Sequence, residues 1–363
     1  MKAVVKTRPE PGYVEVKEIP VPQINADEIL VKVKATGLCG TDLLLTDWTY
    51  MGRSPVNPPI TLGHEGAGEV VEVGENVKNF KVGDRVGLEA LLGCGHCYHC
   101  RRGNPNLCPD WNHLGIDFNG TFAEYIAFPA NGAHLLPDSL TYDQAAFLEP
   151  ISIVVNAFEP NPITVGDTVV IVGPGPLGLF TVQAAKAAGA GKIIVVGTSN
   201  DQKRLQLAKE LGADYVLDNG ENDDAYQVVR ELTNGVGAEV VFEAAGSPKS
   251  FEQGLKMAAG SGQYIIMGFP KQAEINPLTE IVRQNLTIRG AVGSIPRHYE
   301  TAIRWLENGT IQIEKMVTQP LSLDEAVSGI QLAKAKEVGK VLFHPEKLSA
   351  YSNPVNSAND QTV

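Results

Sequence analysis

A chain of 363 residues exceeds what one ordinary hydrophobic core serves and predicts two domains. Its formal charge of −12, with 43% hydrophobic and 20% charged residues, describes an acidic globular protein and argues against nucleic acid or an anionic membrane surface as partner. No apolar run reaches the length of a membrane span and the N-terminus lacks the apolar core of a signal peptide, so the expected location is the cytoplasm.

The chain opens on a strand at residues 1–6, and up to about Asp138 short alternating strands follow, among them 28–35, 68–73 and 84–89. Turn signals at Gly74-Glu75 and Val82-Gly83-Asp84 separate them, which predicts a β-rich, barrel-like domain that carries its chemistry on loops. Cys39 lies in Gly37-Leu38-Cys39-Gly40-Thr41-Asp42, where a strand gives way to a polar turn. His64 and Glu65 follow in the glycine-rich loop Gly63-His64-Glu65-Gly66-Ala67-Gly68, and Glu149 sits in Leu148-Glu149-Pro150. Zinc takes thiolate, imidazole and carboxylate ligands, and a catalytic site keeps one position open. Cys39 and His64 supply the first two types; Glu65 or Glu149 supplies the carboxylate.

Four more cysteines, Cys94, Cys97, Cys100 and Cys108, form C-x2-C-x2-C-x7-C among Gly93, Gly95, Gly103 and Pro105. Four thiols on a tight glycine-rich loop suit a closed tetrahedral zinc site better than disulfides or a redox pair. His96, His99 and His113 lie near but are surplus to a filled four-thiolate shell. Such a site clamps a lobe with little core of its own.

Around residues 149–158 the pattern turns helical, and Asn161-Pro162 ends it. Residues 167–172 read as a fully buried parallel strand that runs into Gly173-Pro174-Gly175-Pro176-Leu177-Gly178 and then an alanine-rich helix over 179–188. A strand before this G-x-G-x-x-G, a helix after it and a second strand at 192–196 predict a dinucleotide site, with the glycines admitting a pyrophosphate to the helix N-terminus. An NAD enzyme usually carries an acid at the second strand's tip; here the sequence is Val196-Gly197-Thr198-Ser199-Asn200-Asp201. Thr198 and Ser199, with Lys203 and Arg204 behind them, suit the 2′-phosphate of NADP, whereas Asp201 reaching back would serve NAD. Alternation continues with strands at 215–217, 238–243 and 264–267 and a helix at 225–232. Turns at Gly246 and Gly268 face the ligand end of the sheet, and a strand at 287–290 closes it. Residues 347–363 are rich in Ser, Asn, Asp and Pro and predict a loosely held polar tail.

The pattern G-H-E-x2-G-x5-G-x2-V, from Gly63 to Val77, resembles the zinc signature of the medium-chain dehydrogenase/reductase superfamily, and the resemblance covers nearly the whole chain to about residue 345. It implies an α/β protein: a GroES-like β-rich catalytic domain over 1–152 and 291–346, and a Rossmann doubly wound parallel-sheet domain over 153–290. It implies a catalytic zinc at Cys39, His64 and Glu65 or Glu149, and a structural zinc in the four-cysteine lobe. Thr41 matches the hydroxyl that accepts the alcohol proton. Leu44 stands where many relatives carry a relay histidine, so proton release runs through Glu65, ribose hydroxyls or water. Asp42, Asp47, Trp48 and Tyr50 are candidates to line the substrate pocket.

The expected activity is hydride transfer between a secondary alcohol, a polyol or sugar, and NAD(P), as in the sorbitol/threonine-dehydrogenase branch; L-threonine is the alternative substrate. A zinc-free quinone reductase-like member does not suit the cysteines, and a non-catalytic nucleotide-binding protein is the reading from another class. The resemblance implies a homodimer or homotetramer.

Overall fold

The computed structural model describes residues 1–50, 52, 56–219, 224–269, 277–317 and 320–346. The polar tail expected over 347–363, and Met51, Arg53 and Pro270, lie outside them.

The first sheet is organised around β1 (Glu28–Gly37). Its apolar residues alternate, and Ile29, Val31, Val33 and Ala35 have no exposed surface, as a strand covered on one face requires. After β1 comes α1 (Gly40–Thr46), a helix where the sequence suggested only a polar turn, with Cys39 as its N-cap residue. β2 (Glu65–Val73) then returns antiparallel to β1, in a register that sets Gly37 opposite Glu65 and Ile29 opposite Val73. The pair Glu65–Gly66 therefore opens a strand, while only His64 remains in the loop before it.

The helix α2 (Leu148–Phe158) buries Leu148, Ile151, Val154 and Val155 at helical spacing and leads into the second sheet. That sheet comprises β3 (Thr168–Val172), followed by α3 (Pro176–Ala187), then β4 (Lys192–Gly197), β5 (Tyr215–Asp218), β6 (Ala238–Glu243), β7 (Ala258–Ile266) and β8 (Thr287–Gly290). All pairings are parallel, in the order β5-β4-β3-β6-β7-β8. Val169, Val170 and Ile171 are wholly buried, which explains their unbroken apolar run. The strand order reverses between β3 and β6, where a crevice opens at the carboxyl ends of the strands.

β9 (Leu342–His344) lies antiparallel to β1 with Leu342 opposite Gly37 and Phe343 opposite Thr36. Thus β1 is flanked by β2 and β9 at its C-terminal end, and residues near 39, 64 and 340 arrive at one place. One buried cluster runs from Ala35 and Ala67 through Phe147 and Leu148 to Val169 and Phe242, joining the two sheets by a continuous core. Among the described residues no helix is long and apolar enough to cross a membrane.

Candidate functional site

The β1–β2 register explains how a thiol and an imidazole 25 positions apart meet: Cys39 lies just past the end of β1 and His64 just before the start of its partner. Ligand atoms of Cys39, His64 and Glu65 all lie within 4.8 Å of one another. Asp42 ties the two loops together. Its carboxylate accepts the Cys39 N–H at 2.9 Å and the Gly63 N–H at 3.2 Å, and one oxygen stands 3.9 Å from His64 Nδ1. Fully buried, Asp42 braces the cluster rather than offering a free surface to a substrate. Asp47, by contrast, is exposed and paired with Lys334, and Trp48 lies under the Lys6 ammonium, 5.2 Å from its ring centroid. Thr41 is half-buried in the first turn of α1, two residues from the thiol.

Buried polar atoms without hydrogen-bond partners are rare because each loses its hydration uncompensated. Among the described residues, two such atoms belong to this cluster, His64 Nδ1 and Glu65 Oε2; a third, Glu149 Oε2, lies outside the group within 4.8 Å, on a carboxyl that acts on the Cys39 thiol. Burial, then the neighbouring Glu65, pushes the Glu149 carboxyl up to about 8, and the same two causes raise the Cys39 thiol. Unsatisfied acids crowded around an imidazole are what a divalent cation relieves, and the sulfur, nitrogen and oxygen donors suit zinc. The residues fit the metal.

Two contributors were hidden in the sequence. Lys340, 3% exposed, places its ammonium 2.5 Å from Glu65 Oε1. Burial opposes its charge, yet Glu65, Cys39 and Glu149 outweigh that and raise its pKa. His113 packs edge-on against His64 with ring centroids 4.9 Å apart. Its Nδ1 donates to the Leu114 carbonyl at 2.8 Å, so Nε2 keeps the lone pair. Burial, then His64, lowers its pKa to about 3, which keeps the ring neutral.

The position of His113 follows from the lobe. Strand residues Leu91–Leu92 pair with Asn112–His113, closing the neck of the loop that carries the other four cysteines and returning the chain to His64. The sulfurs of Cys94, Cys97, Cys100 and Cys108 lie within 4.8 Å of one another, and no disulfide joins them. Backbone N–H groups of Cys94, Cys97, Cys100 and Asp110 each donate to a sulfur of the set at 3.3–3.4 Å. The Cys100 N–H is the first cause lowering the Cys97 thiol to about 7, whereas burial pushes Cys100 up to about 12. Gly93 is required: a Cβ there would sit 2.6 Å from Cys100 Sγ.

At the crevice of the parallel sheet, Gly173 takes φ +106 and a Cβ on it would meet the Ala245 N at 2.7 Å, while a Cβ on Gly178 would lie 2.0 Å from the Gly173 carbonyl. Gly175 faces open space and caps α3, with Pro176 and Leu177 in its first turn. This is the arrangement that admits an anion to the helix N-terminus. Gly246 and Gly268 pack against each other, where a Cβ on the latter would lie 2.3 Å from the Gly246 N. Thr198, Asp201, Asn219 and Lys249 line the cleft beyond Gly173. Asp201 does reach back: its Oδ2 accepts the Thr198 N–H and hydroxyl at 3.0 and 2.6 Å, and its Oδ1 pairs with Lys336 at 2.7 Å. Ser199 starts the short helical turn after Thr198. Arg204 turns elsewhere than expected, donating from Nε to the Val338 carbonyl at 3.0 Å, and Lys203 pairs with Glu337. Both basic residues contact the C-terminal segment.

Comparison with known proteins agrees with this layout. The alcohol dehydrogenase GroES-like domain model matches residues 25–138 and the zinc-binding dehydrogenase model residues 176–308. The chain is 39% identical to a sorbitol dehydrogenase of Halalkalibacterium halodurans, covering 95% of this chain and 99% of that one. It is 38% identical to an L-threonine 3-dehydrogenase of Pyrococcus furiosus, covering 94% and 98%. A zinc-binding dehydrogenase of Sinorhizobium meliloti 1021, solved bound to NADP, is 34% identical and superposes with a TM-score of 0.85 over 95% and 99% of the two chains.

Proposed function

The chain belongs to the zinc-binding alcohol dehydrogenase family, and on that premise we propose that it oxidises a secondary alcohol of the polyol or sugar class with NAD(P). The observation that carries this reading is the group of half-buried Cys39 with buried His64 and Glu65 at one end of β1, with a cleft suited to a dinucleotide at the switch point of the adjoining sheet. When bound, zinc acidifies a hydroxyl set against it and NAD(P) takes the hydride. The chain's own residues do the rest. Cys39, His64 and Glu65 hold the metal, and Glu149 stands beside them as a further ligand or an outer carboxylate. Asp42 fixes the two loops, and Thr41 receives the substrate's hydroxyl proton at the mouth of α1. With Leu44 in place of a relay histidine, that proton leaves through Glu65, a ribose hydroxyl or water. Gly173, Gly175 and Gly178 admit the pyrophosphate. Cys94, Cys97, Cys100 and Cys108 hold a second zinc that staples the lobe.

In this reading residues 1–152 and 291–346 form the catalytic domain and 153–290 the cofactor domain. L-threonine is the second substrate reading, favoured by the identity to the Pyrococcus enzyme. The cysteines, none in a disulfide, suit a reducing compartment, and we place the protein in the cytoplasm. Among the described residues β8 pairs on one side only, and Leu278 and Val282 on the helix before it are exposed at 67% and 78%; this edge supports a homodimer or homotetramer. The test is turnover of a panel of polyols, sugars and L-threonine with NAD and with NADP, before and after chelation. Metal-dependent oxidation of a polyol supports the reading; cofactor binding with no turnover of any alcohol contradicts it.

A further inference from the structure

We infer that Lys340 is the positioning residue of the metal centre, holding one oxygen of Glu65 so that the carboxylate offers a single oxygen to the metal. This rests on the zinc reading of Cys39, His64 and Glu65. The ammonium lies 2.5 Å from Glu65 Oε1, and both side chains are buried, at 3% and 0% exposure. The other oxygen, Oε2, has no hydrogen-bond partner among the described residues and belongs to the carboxylate that groups with Cys39 and His64. Gly37 lies flush against that oxygen, since a Cβ there would come within 2.2 Å of Oε2. The carboxylate is thus held from one side and walled on the other.

The root of the lysine is equally fixed. Its N–H donates to the Met316 carbonyl at 2.9 Å, and Arg204 holds the Val338 carbonyl two residues earlier. A Cβ on Gly339 would sit 2.7 Å from the Met316 carbonyl and 2.8 Å from Leu207. A buried ion pair is weak evidence for stability, and one attested use of such pairs is to fix a geometry. Here the geometry keeps Glu65 from closing on the metal with both oxygens, which preserves the open position a substrate needs.

The inference makes a directional prediction that a purely structural role does not share. A lysine that only packs would loosen the centre when replaced, and zinc would leave sooner. A lysine that restrains Glu65 and repels the metal would, when replaced, let zinc be held harder. Zinc-loaded full-length protein is mixed with excess chelator, and release of the fraction that Cys39→Ser lacks is followed with a metallochromic dye. Lys340→Met is expected to slow that release by about tenfold or more, a change as large as outer-shell substitutions produce but opposite in sign to the loss of affinity usual for them. Lys340→Arg should release zinc as the parent does. Cobalt-loaded Lys340→Met should show weaker visible bands as coordination rises. In a Glu65→Gln background, Lys340→Met should have no further effect on release. Faster release, an unchanged cobalt spectrum, or a full Lys340 effect without Glu65 overturns the inference. A parent that takes up no zinc at this centre overturns the zinc reading along with it, whereas normal uptake with parental release in Lys340→Met overturns the role of Lys340 alone.

Discussion

The two groups of candidate metal ligands differ in donor type and in surroundings. In the lobe, Cys94, Cys97 and Cys100 are half-buried and Cys108 is fully buried, and four N–H groups are aimed at sulfurs of the set. The Cys100 N–H lowers the Cys97 thiol to about 7, while burial pushes the Cys100 thiol up to about 12. In the centre, buried Glu65, Glu149 and Asp42 crowd beside half-buried Cys39, three polar atoms lack partners among the described residues, and the thiol and Glu149 are pushed toward their neutral forms. The lobe offers four donors of one kind, all sulfur. The centre is unequal, strained electrostatically and braced from outside by Asp42 and Lys340. Catalysis needs a site that is incomplete; a staple needs one that is closed.

Exchanging one sulfur in each place should separate the two. Cys39→Ser is expected to lower turnover by about a thousandfold or more, because the metal's charge stabilisation goes with it, while the melting temperature stays near the parent's. Cys97→Ser should do the reverse, losing on the order of 5–10 °C in thermal melting as the staple opens. Activity assays and calorimetry on both variants check this, and a Cys97→Ser protein that melts like the parent would remove the contrast.

A finer pair acts through glycines that touch a ligand. Gly37→Ala sets a Cβ against Glu65 Oε2 and Gly93→Ala sets one against Cys100 Sγ. Each overpacking should destabilise by about 1–3 kcal/mol. Only Gly37→Ala should also change the cobalt spectrum of the centre, and denaturant titration with spectroscopy distinguishes them. Remote from both groups, Glu159 accepts from Arg297 and His298, and that pairing, Arg297 first, lowers its carboxyl to about 2 from 4.5. A carboxyl lowered on folding contributes stability above its unfolded pKa and loses it as pH falls toward the folded one. The side chain is 46% exposed, so Glu159→Gln should cost less than about 1 kcal/mol at pH 7 after solvent screening. The difference from the parent should vanish as the pH drops from 4.5 to 2. Urea unfolding at several pH values checks it, and no site property should move.

What could be read from the sequence, and what could not, follows the same division. The lobe is local: all four sulfurs lie within fifteen positions, so spacing alone identifies them. The parallel sheet was legible because covered strands need continuous apolar runs and the glycine turn needs its residues in order. Cys39 and His64 were legible through their glycines. Lys340 was not, because it lies 275 residues from Glu65 and an isolated lysine before a strand has no local signature. His113 was assigned to the lobe's surplus because it follows Cys108 closely in sequence, and the Leu91–Leu92 neck reveals that it returns to His64. Arg204 was read by its distance from the glycine motif, while its partner, Val338, comes from the far end of the chain.

The central claim is that one element serves two jobs in this chain, and zinc counting tests it most directly. Elemental analysis during graded chelation should find two zinc per chain, one for each group of ligands. Loss of the first should remove all turnover with little change in melting, and loss of the second should unfold the lobe. A chain that holds no zinc when freshly purified, or that keeps full turnover after both are gone, would contradict the account.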